Sequence, residues 1–252
     1  MYLQSSKGQI YYQKIGQGPD LILLHGWQQD VSSFWQLADK LKSDWTVWLI
    51  DLPGFGRSPL TKSEFELNDY VESVVDFIKQ LKLDKPILLG HSLGGRVGIK
   101  LAAKYPNLIS RLILEDAAGI RPIPTTKSKM LAATAKIANQ ILPNWFNFKD
   151  KLRARVYSQL QSDYLSTGEL KETFKNIINE DLTPYLSQIK AETFLIWGEN
   201  DFTVPVSFGK KMYRLIPNSR LEIIEQAGHF PHLDQPDRFE YWLRNFLSKG
   251  DK

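Results

Sequence analysis

A serine, a histidine and an aspartate can together carry out nucleophilic acyl transfer. The histidine takes the serine proton, and the aspartate holds the histidine in place. This chain offers such a set. Ser92 stands in Gly90-His91-Ser92-Leu93-Gly94, after the apolar run Pro86-Ile87-Leu88-Leu89 and before the small-residue stretch from Gly95 to Ala103. The order reads as strand, sharp turn and helix, with an exposed hydroxyl at the apex. Glycines flank it because a β-carbon there would meet the neighbouring strand and helix.

The base comes from a short list, because the chain has four histidines: His25, His91, His229 and His232. His229 lies in Gln226-Ala227-Gly228-His229-Phe230, between the strand-like Leu221-Glu222-Ile223-Ile224 and a helix predicted over Pro236 to Leu247. That loop leaves the C-terminal edge of a strand, where ligands meet an open α/β sheet. The acid is expected at Asp201, after the apolar strand Phe194-Leu195-Ile196-Trp197-Gly198 and before the helix start at Thr203-Val204-Pro205. Glu199, and Asp116 after Leu112-Ile113-Leu114, are alternative acids at strand ends. His91 is expected to pack or bond locally, His25 to brace its loop and His232 to be structural or exposed.

The elements that must position these groups follow from patterning. Tyr2 to Ile15 reads as an antiparallel hairpin at a sheet edge. Leu21 to Leu24 and Thr46 to Ile50 read as buried strands, and Ser33 to Leu41 as a helix. Leu67, Tyr70, Val71, Val74, Val75, Ile78 and Leu81 form a helical stripe, with Glu66 or Asn68 near its start. Strands alternating with helices predict an α/β fold: a mostly parallel central sheet with helices on both faces. The alternation breaks between about Gly119 and Gln188. There Met130 to Leu142, Asp150 to Gln161 and Glu169 to Asn179 carry helical patterns, and no core strand is evident.

The chain resembles the α/β-hydrolase family. His25-Gly26 resembles its HG oxyanion motif, and Asp51-Leu52-Pro53-Gly54-Phe55-Gly56-Arg57-Ser58 resembles its DxxGxGxS loop. Ser92, Asp201 and His229 fall on its nucleophile, acid and base positions, over a resemblance running from about Leu3 to Leu247. The resemblance implies an oxyanion hole made by the backbone N–H groups of Trp27 and Leu93. It implies a hydrolase core over 1–118 and 189–252, and an inserted helical cap over 119–188 that shapes the pocket. Trp145, Phe146 and Phe148 are the candidate pocket residues there, with Tyr157 and Tyr164 beside them. Arg153 and Arg155 are possible carboxylate clamps. Asp51 and Arg57 are expected to hold their loop together.

Composition sets the remaining bounds. The 252 residues suit one sizeable core plus an insertion. Cysteine is absent, which removes disulfides, thiol chemistry and thiolate metal sites. The net charge of +4 comes from scattered lysines, without the basic stripe and interleaved aromatics that grip nucleic acid. No run is long and apolar enough to span a membrane, and the first residues hold no apolar signal core, so a cytoplasmic location is expected. No metal-ligand spacing or phosphate-cradling glycine loop is present, so no cofactor or metal is expected. The expected partner is a small-molecule ester, and the expected assembly a monomer or homodimer.

The expected activity is hydrolysis of carboxylic esters of small, largely apolar substrates through an acyl-enzyme, as in a carboxylesterase. Carbon–carbon bond hydrolysis of ring-cleavage products is the rival within the family, as is other acyl hydrolysis or transfer. A small-molecule receptor on the same fold is the non-enzyme alternative.

Overall fold

Runs such as Leu21-Ile22-Leu23-Leu24 have no polar side, so they suit strands covered on both faces. The computed structural model, which describes residues 1–121 and 168–248, places them that way. Its strands are β1 (Tyr2–Ser5), β2 (Gly8–Ile15), β3 (Asp20–Leu24), β4 (Thr46–Ile50), β5 (Ile87–His91), β6 (Arg111–Glu115), β7 (Glu192–Gly198) and β8 (Ser219–Ile224). They form one eight-stranded sheet in the order β1-β2-β4-β3-β5-β6-β7-β8. β1 and β2 pair antiparallel, as does β2 with β4, and from β4 to β8 every pairing is parallel. The sequence reading of an edge hairpin on a mostly parallel sheet is what the structure shows.

Helices cover both faces: α1 (Trp35–Leu41), α2 (Leu67–Gln80), α3 (Leu93–Lys104), α4 (Lys171–Asn179), α5 (Thr183–Leu186), α6 (Val206–Leu215), α7 (Pro231–Asp234) and α8 (Pro236–Leu247). Successive strand residues point to opposite faces, so β3 feeds two cores. Ile22 and Leu24 pack with Tyr70, Val74 and Phe77 of α2 and Val97 of α3. Leu21 and Leu23 pack with Leu37 and Leu41 of α1 and Phe239, Leu243 and Phe246 of α8. Each such buried side chain contributes about 1.5–3 kcal/mol relative to exposure. The stripe read over residues 67–81 is α2, and it starts where Asp69 accepts the Glu66 N–H at 2.9 Å. The helix expected from Ser33 begins instead as a 3₁₀ turn over Val31–Phe34, capped by Asp30.

The strand order sets the site. From β3 the chain moves to β4 on one side and then crosses to β5 on the other. A crevice therefore opens beyond the carboxyl ends of β3 and β5, the switch point at which ligands meet such sheets. His25-Gly26-Trp27 leaves one of these strands and Ser92 the other. Among the described residues, no helix is long and apolar enough to cross a membrane.

Candidate active site

Ser92 sits between β5 and α3 with φ 50° and ψ −104°, a backbone conformation that a non-glycine residue adopts only at a cost of about 1–3 kcal/mol. Its surroundings enforce it. The Ser92 N–H donates to the Glu115 carbonyl at 3.0 Å, and the Ser92 carbonyl accepts from Arg96 and Ala118 N–H groups at 3.1 and 3.2 Å. The flanking glycines are a matter of space. A β-carbon on Gly90 would lie 2.3 Å from the Gly94 carbonyl oxygen, and one on Gly94 2.2 Å from that of Leu24.

The loop that carries Trp27 is tied to this turn by the Gly94 N–H, which donates to the His25 carbonyl at 3.1 Å. Leu93 opens α3, and the first N–H groups of a helix have no acceptor within it. Trp27 lies inside a turn closed by the Gln29 N–H on the Gly26 carbonyl at 3.3 Å, which leaves its own N–H unused by the turn. His25 fixes that loop. Its Nε2 accepts the Leu52 N–H at 3.0 Å, so the proton is on Nδ1, which donates to the Gly26 carbonyl at 2.7 Å. Burial lowers the His25 pKa and keeps the ring in that neutral form. The Trp27 indole packs against Phe55 and Phe174, with ring centroids 5.0 and 4.9 Å apart, and its buried Nε1 has no acceptor among the described residues. Asp51 spans the neighbouring loop, accepting from the N–H groups of Val31 and Arg57 at 2.6 and 2.8 Å.

The loops after β7 and β8 bring Asp201 and His229 together. His229 Nδ1 lies 2.7 Å from Asp201 Oδ2, and Asp201 Oδ1 accepts from the N–H groups of Thr203 and Val204 at 2.7 and 2.9 Å. The Asn200 N–H on the Ala227 carbonyl, at 2.8 Å, ties the two loops. Glu199 is turned elsewhere: it is exposed and accepts the Gln226 N–H at 3.3 Å. With Nδ1 occupied, the Nε2 of His229 is the nitrogen left for proton transfer.

His91, next to Ser92, reaches across to the histidine loop. Its Nε2 donates to the His229 carbonyl at 2.7 Å, and the two rings stand 4.8 Å apart. Burial first, then the charges of His229 and His232, holds its pKa well below the ordinary histidine value. His232 is buried rather than exposed, with Nδ1 2.6 Å from Glu115 Oε1 and Nε2 3.1 Å from the Ser33 carbonyl. Burial alone would lower its pKa, but the Glu115 carboxylate outweighs that and raises it. All four histidines of the chain thus surround the strand ends. Sequence reasoning did not find the His91 strap or the Glu115–His232 pair, because both depend on residues far apart along the chain.

Asp116 joins Asp201 rather than replacing it. An oxygen of each carboxyl and a ring nitrogen of His229 all lie within 4.8 Å of one another. Those three atoms are the set among the described residues that offers metal-ligand chemistry, yet the His229–Asp201 hydrogen bond occupies two of these residues. The pocket candidates Trp145, Phe146 and Phe148 lie outside the described residues, as do Tyr157, Tyr164, Arg153 and Arg155. Phe174, on the apolar side of α4, is an aromatic against Trp27 that the sequence reading passed over.

The chain resembles known proteins along its length. The model of the alpha/beta hydrolase family matches residues 21–240. A pimeloyl-[acyl-carrier protein] methyl ester esterase of Aliivibrio fischeri is 28% identical, over 95% of this chain and 98% of that protein. A 2-hydroxy-6-oxononadienedioate/2-hydroxy-6-oxononatrienedioate hydrolase of Escherichia coli is 29% identical, over 95% of this chain and 91% of its own. The structure of an esterase from Exiguobacterium antarcticum superposes with a TM-score of 0.77 at 26% identity, covering 99% of each chain.

Proposed function

We propose, from the premise that this chain belongs to the alpha/beta hydrolase family, that it is a serine hydrolase of carboxylic esters with small, largely apolar substrates. The observation that carries this reading is the 2.7 Å contact of His229 Nδ1 with Asp201, with the His229 carbonyl bonded at 2.7 Å to His91, the neighbour of a serine held at φ 50°. That contact fixes the tautomer in which Nε2 accepts a proton.

Ser92 Oγ attacks the ester carbonyl while His229 Nε2 takes its proton. The carbonyl oxygen becomes an oxyanion facing the N–H groups of Trp27 and Leu93. Such a donor is worth about 3–4 kcal/mol in the transition state. Imidazolium returns the proton to the leaving alcohol. Water, deprotonated by the same nitrogen, then releases the acid from Ser92.

Residues 119–188 are read as the cap over a core of 1–118 and 189–252. Support comes from the Leu182 N–H, near the end of the segment, which donates to the carbonyl of Gly119 at its start at 2.8 Å. Phe174 then belongs to the cap and reaches the oxyanion loop. The esterase from Aliivibrio fischeri favours ester substrates, whereas the hydrolase from Escherichia coli favours a second reading, carbon–carbon cleavage of a dienedioate by the same residues.

Hydrolysis of p-nitrophenyl esters from acetate to decanoate, with Ser92→Ala alongside, separates the readings. Fast turnover abolished in the mutant supports the esterase. An untouched ester panel with cleavage of a 2-hydroxy-6-oxodienoate moves the assignment to carbon–carbon hydrolysis. Activity retained in folded Ser92→Ala removes Ser92 from the mechanism.

A further inference from the structure

Asp116 follows β6 with φ 41° and is fully buried. Its N–H donates to the Ile196 carbonyl at 3.1 Å, and its Oδ1 accepts the Gly198 N–H at 3.1 Å. Oδ2 is buried with no hydrogen bond of ordinary geometry. The carboxyl of Asp201, also buried, lies in the same cluster. Two carboxylates in so small a buried space do not both ionise. The donors decide which carboxyl keeps the proton. Asp201 receives two backbone N–H groups and the His229 ring, whereas Asp116 receives one N–H.

We propose that Asp116 is a positioning residue: a neutral carboxylic acid whose Oδ2–H is given to the Asp201 carboxylate, which in turn orients His229. This assignment rests on the serine hydrolase reading. It moves no proton during the reaction, since Asp116 keeps its own throughout. Burial first, and Asp201 second, hold the Asp116 carboxyl well above the usual carboxylate range, which agrees with the neutral form. The titratable groups facing it are Asp201, His229 and the adjacent Glu115, whose charge is paired with His232. His91 faces His229 from β5. The donated hydrogen bond spreads the Asp201 charge and holds that carboxylate in place against His229 Nδ1.

The test is the NMR titration of His229, together with its low-field Nδ1–H resonance, in wild type, Asp116→Asn and Asp116→Ala. It is read beside the pH profile of kcat/KM on p-nitrophenyl acetate. In Asp116→Ala the His229 midpoint rises and kcat falls about tenfold at constant KM, as expected when one charge-assisted hydrogen bond is lost. In Asp116→Asn the amide restores the donor. The midpoint returns to within about 0.5 unit of wild type, since one neutral donor replaces another, and most of kcat is recovered. The low-field resonance moves in both variants.

A midpoint that drops by about one unit or more in Asp116→Asn means that Asp116 was an anion, and overturns the proposal. So does a resonance and midpoint unmoved in both variants, which leaves Asp116 a structural role alone. If Asp116→Ala does not fold, the Asn midpoint and resonance decide by themselves. The titration needs no substrate, so a chain that cleaves no ester still answers the question about Asp116. Conversely, esterase activity abolished by Ser92→Ala upholds the serine hydrolase reading whatever Asp116 does.

Discussion

At the scale of single residues, the proposed site divides into groups that would react and groups that hold them. Asp201 accepts from two backbone N–H groups and from His229, so its position and its charge are both set by neighbours. Asp201→Asn keeps the size but offers His229 the wrong partner, and the opposite tautomer follows. A fall in kcat of about 10⁴ is expected, with the unfolding midpoint little changed. Trp27 is the contrary case, since its proposed role belongs to the main chain. Its indole N–H is buried without an acceptor among the described residues, so Trp27→Phe breaks no hydrogen bond to them. Steady-state kinetics of that variant on a short ester should give a kcat within about threefold of wild type, where removal of a true oxyanion donor costs about 10²–10³.

At the scale of elements, close backbone approaches and one buried arginine fix how loops meet. A β-carbon on Gly198, the last residue of β7, would sit 1.9 Å from the Gly228 carbonyl oxygen, just before His229. Neither backbone can give way without parting His229 from Asp201. Gly198→Ala is therefore expected to cost about 1–3 kcal/mol or more and to lower kcat together with stability. Thermal unfolding and kinetics on the same preparation check it. Arg96, one turn beyond Ser92 on α3, donates to the carbonyls of Ile177 and Glu180 at the end of α4. The Ile177 carbonyl also accepts the Glu180 N–H, at 3.3 Å, and a cation at this helix end suits the helix dipole. Burial lowers the Arg96 pKa to about 10, still charged at neutral pH. Lys100 adds an ion pair with Glu180 at 2.7 Å. Arg96→Met leaves both carbonyls without this donor and should lower stability by about 2–3 kcal/mol in urea unfolding. If residues 119–188 form the cap, the variant also raises KM more than it lowers kcat.

At the scale of the whole molecule, the histidines around the sheet's C-terminal edge set the pH range of stability. His25 and His91 are held below the ordinary value of 6.5, so below that pH the unfolded chain binds protons that the native state refuses. Stability falls as pH drops through 6.5, by up to about 1.4 kcal/mol per pH unit for each group. His232 is raised and acts in the other direction. Its pairing with Glu115 contributes fully below the unfolded value and is lost as pH climbs through the higher native one. Urea unfolding from pH 5 to 8 should show a maximum near or just above neutrality, and a His91→Asn variant should have a shallower acid side.

Much of the sheet, and the residues of the proposed site, were legible in the linear chain. Apolar runs of strand length, the stripe over residues 67–81 and the glycines around Ser92 act over a few neighbours, so their pattern survives in sequence. The same holds for a histidine or aspartate placed just after a strand, because parallel strands bring all such ends to one edge. That reasoning picked out Ser92, Asp201 and His229 from the sequence and left Glu199 and Asp116 as rivals for the acid. What only the tertiary structure decided is which of those ends stand next to one another. The order β3-β5-β6-β7-β8 places Asp116 beside Asp201, turns Glu199 toward Gln226, straps His91 to His229 and buries His232 on Glu115. Those contacts join residues separated by 27 to 138 positions. Their formation depends on strand order and desolvation, and neither leaves a local pattern in the sequence.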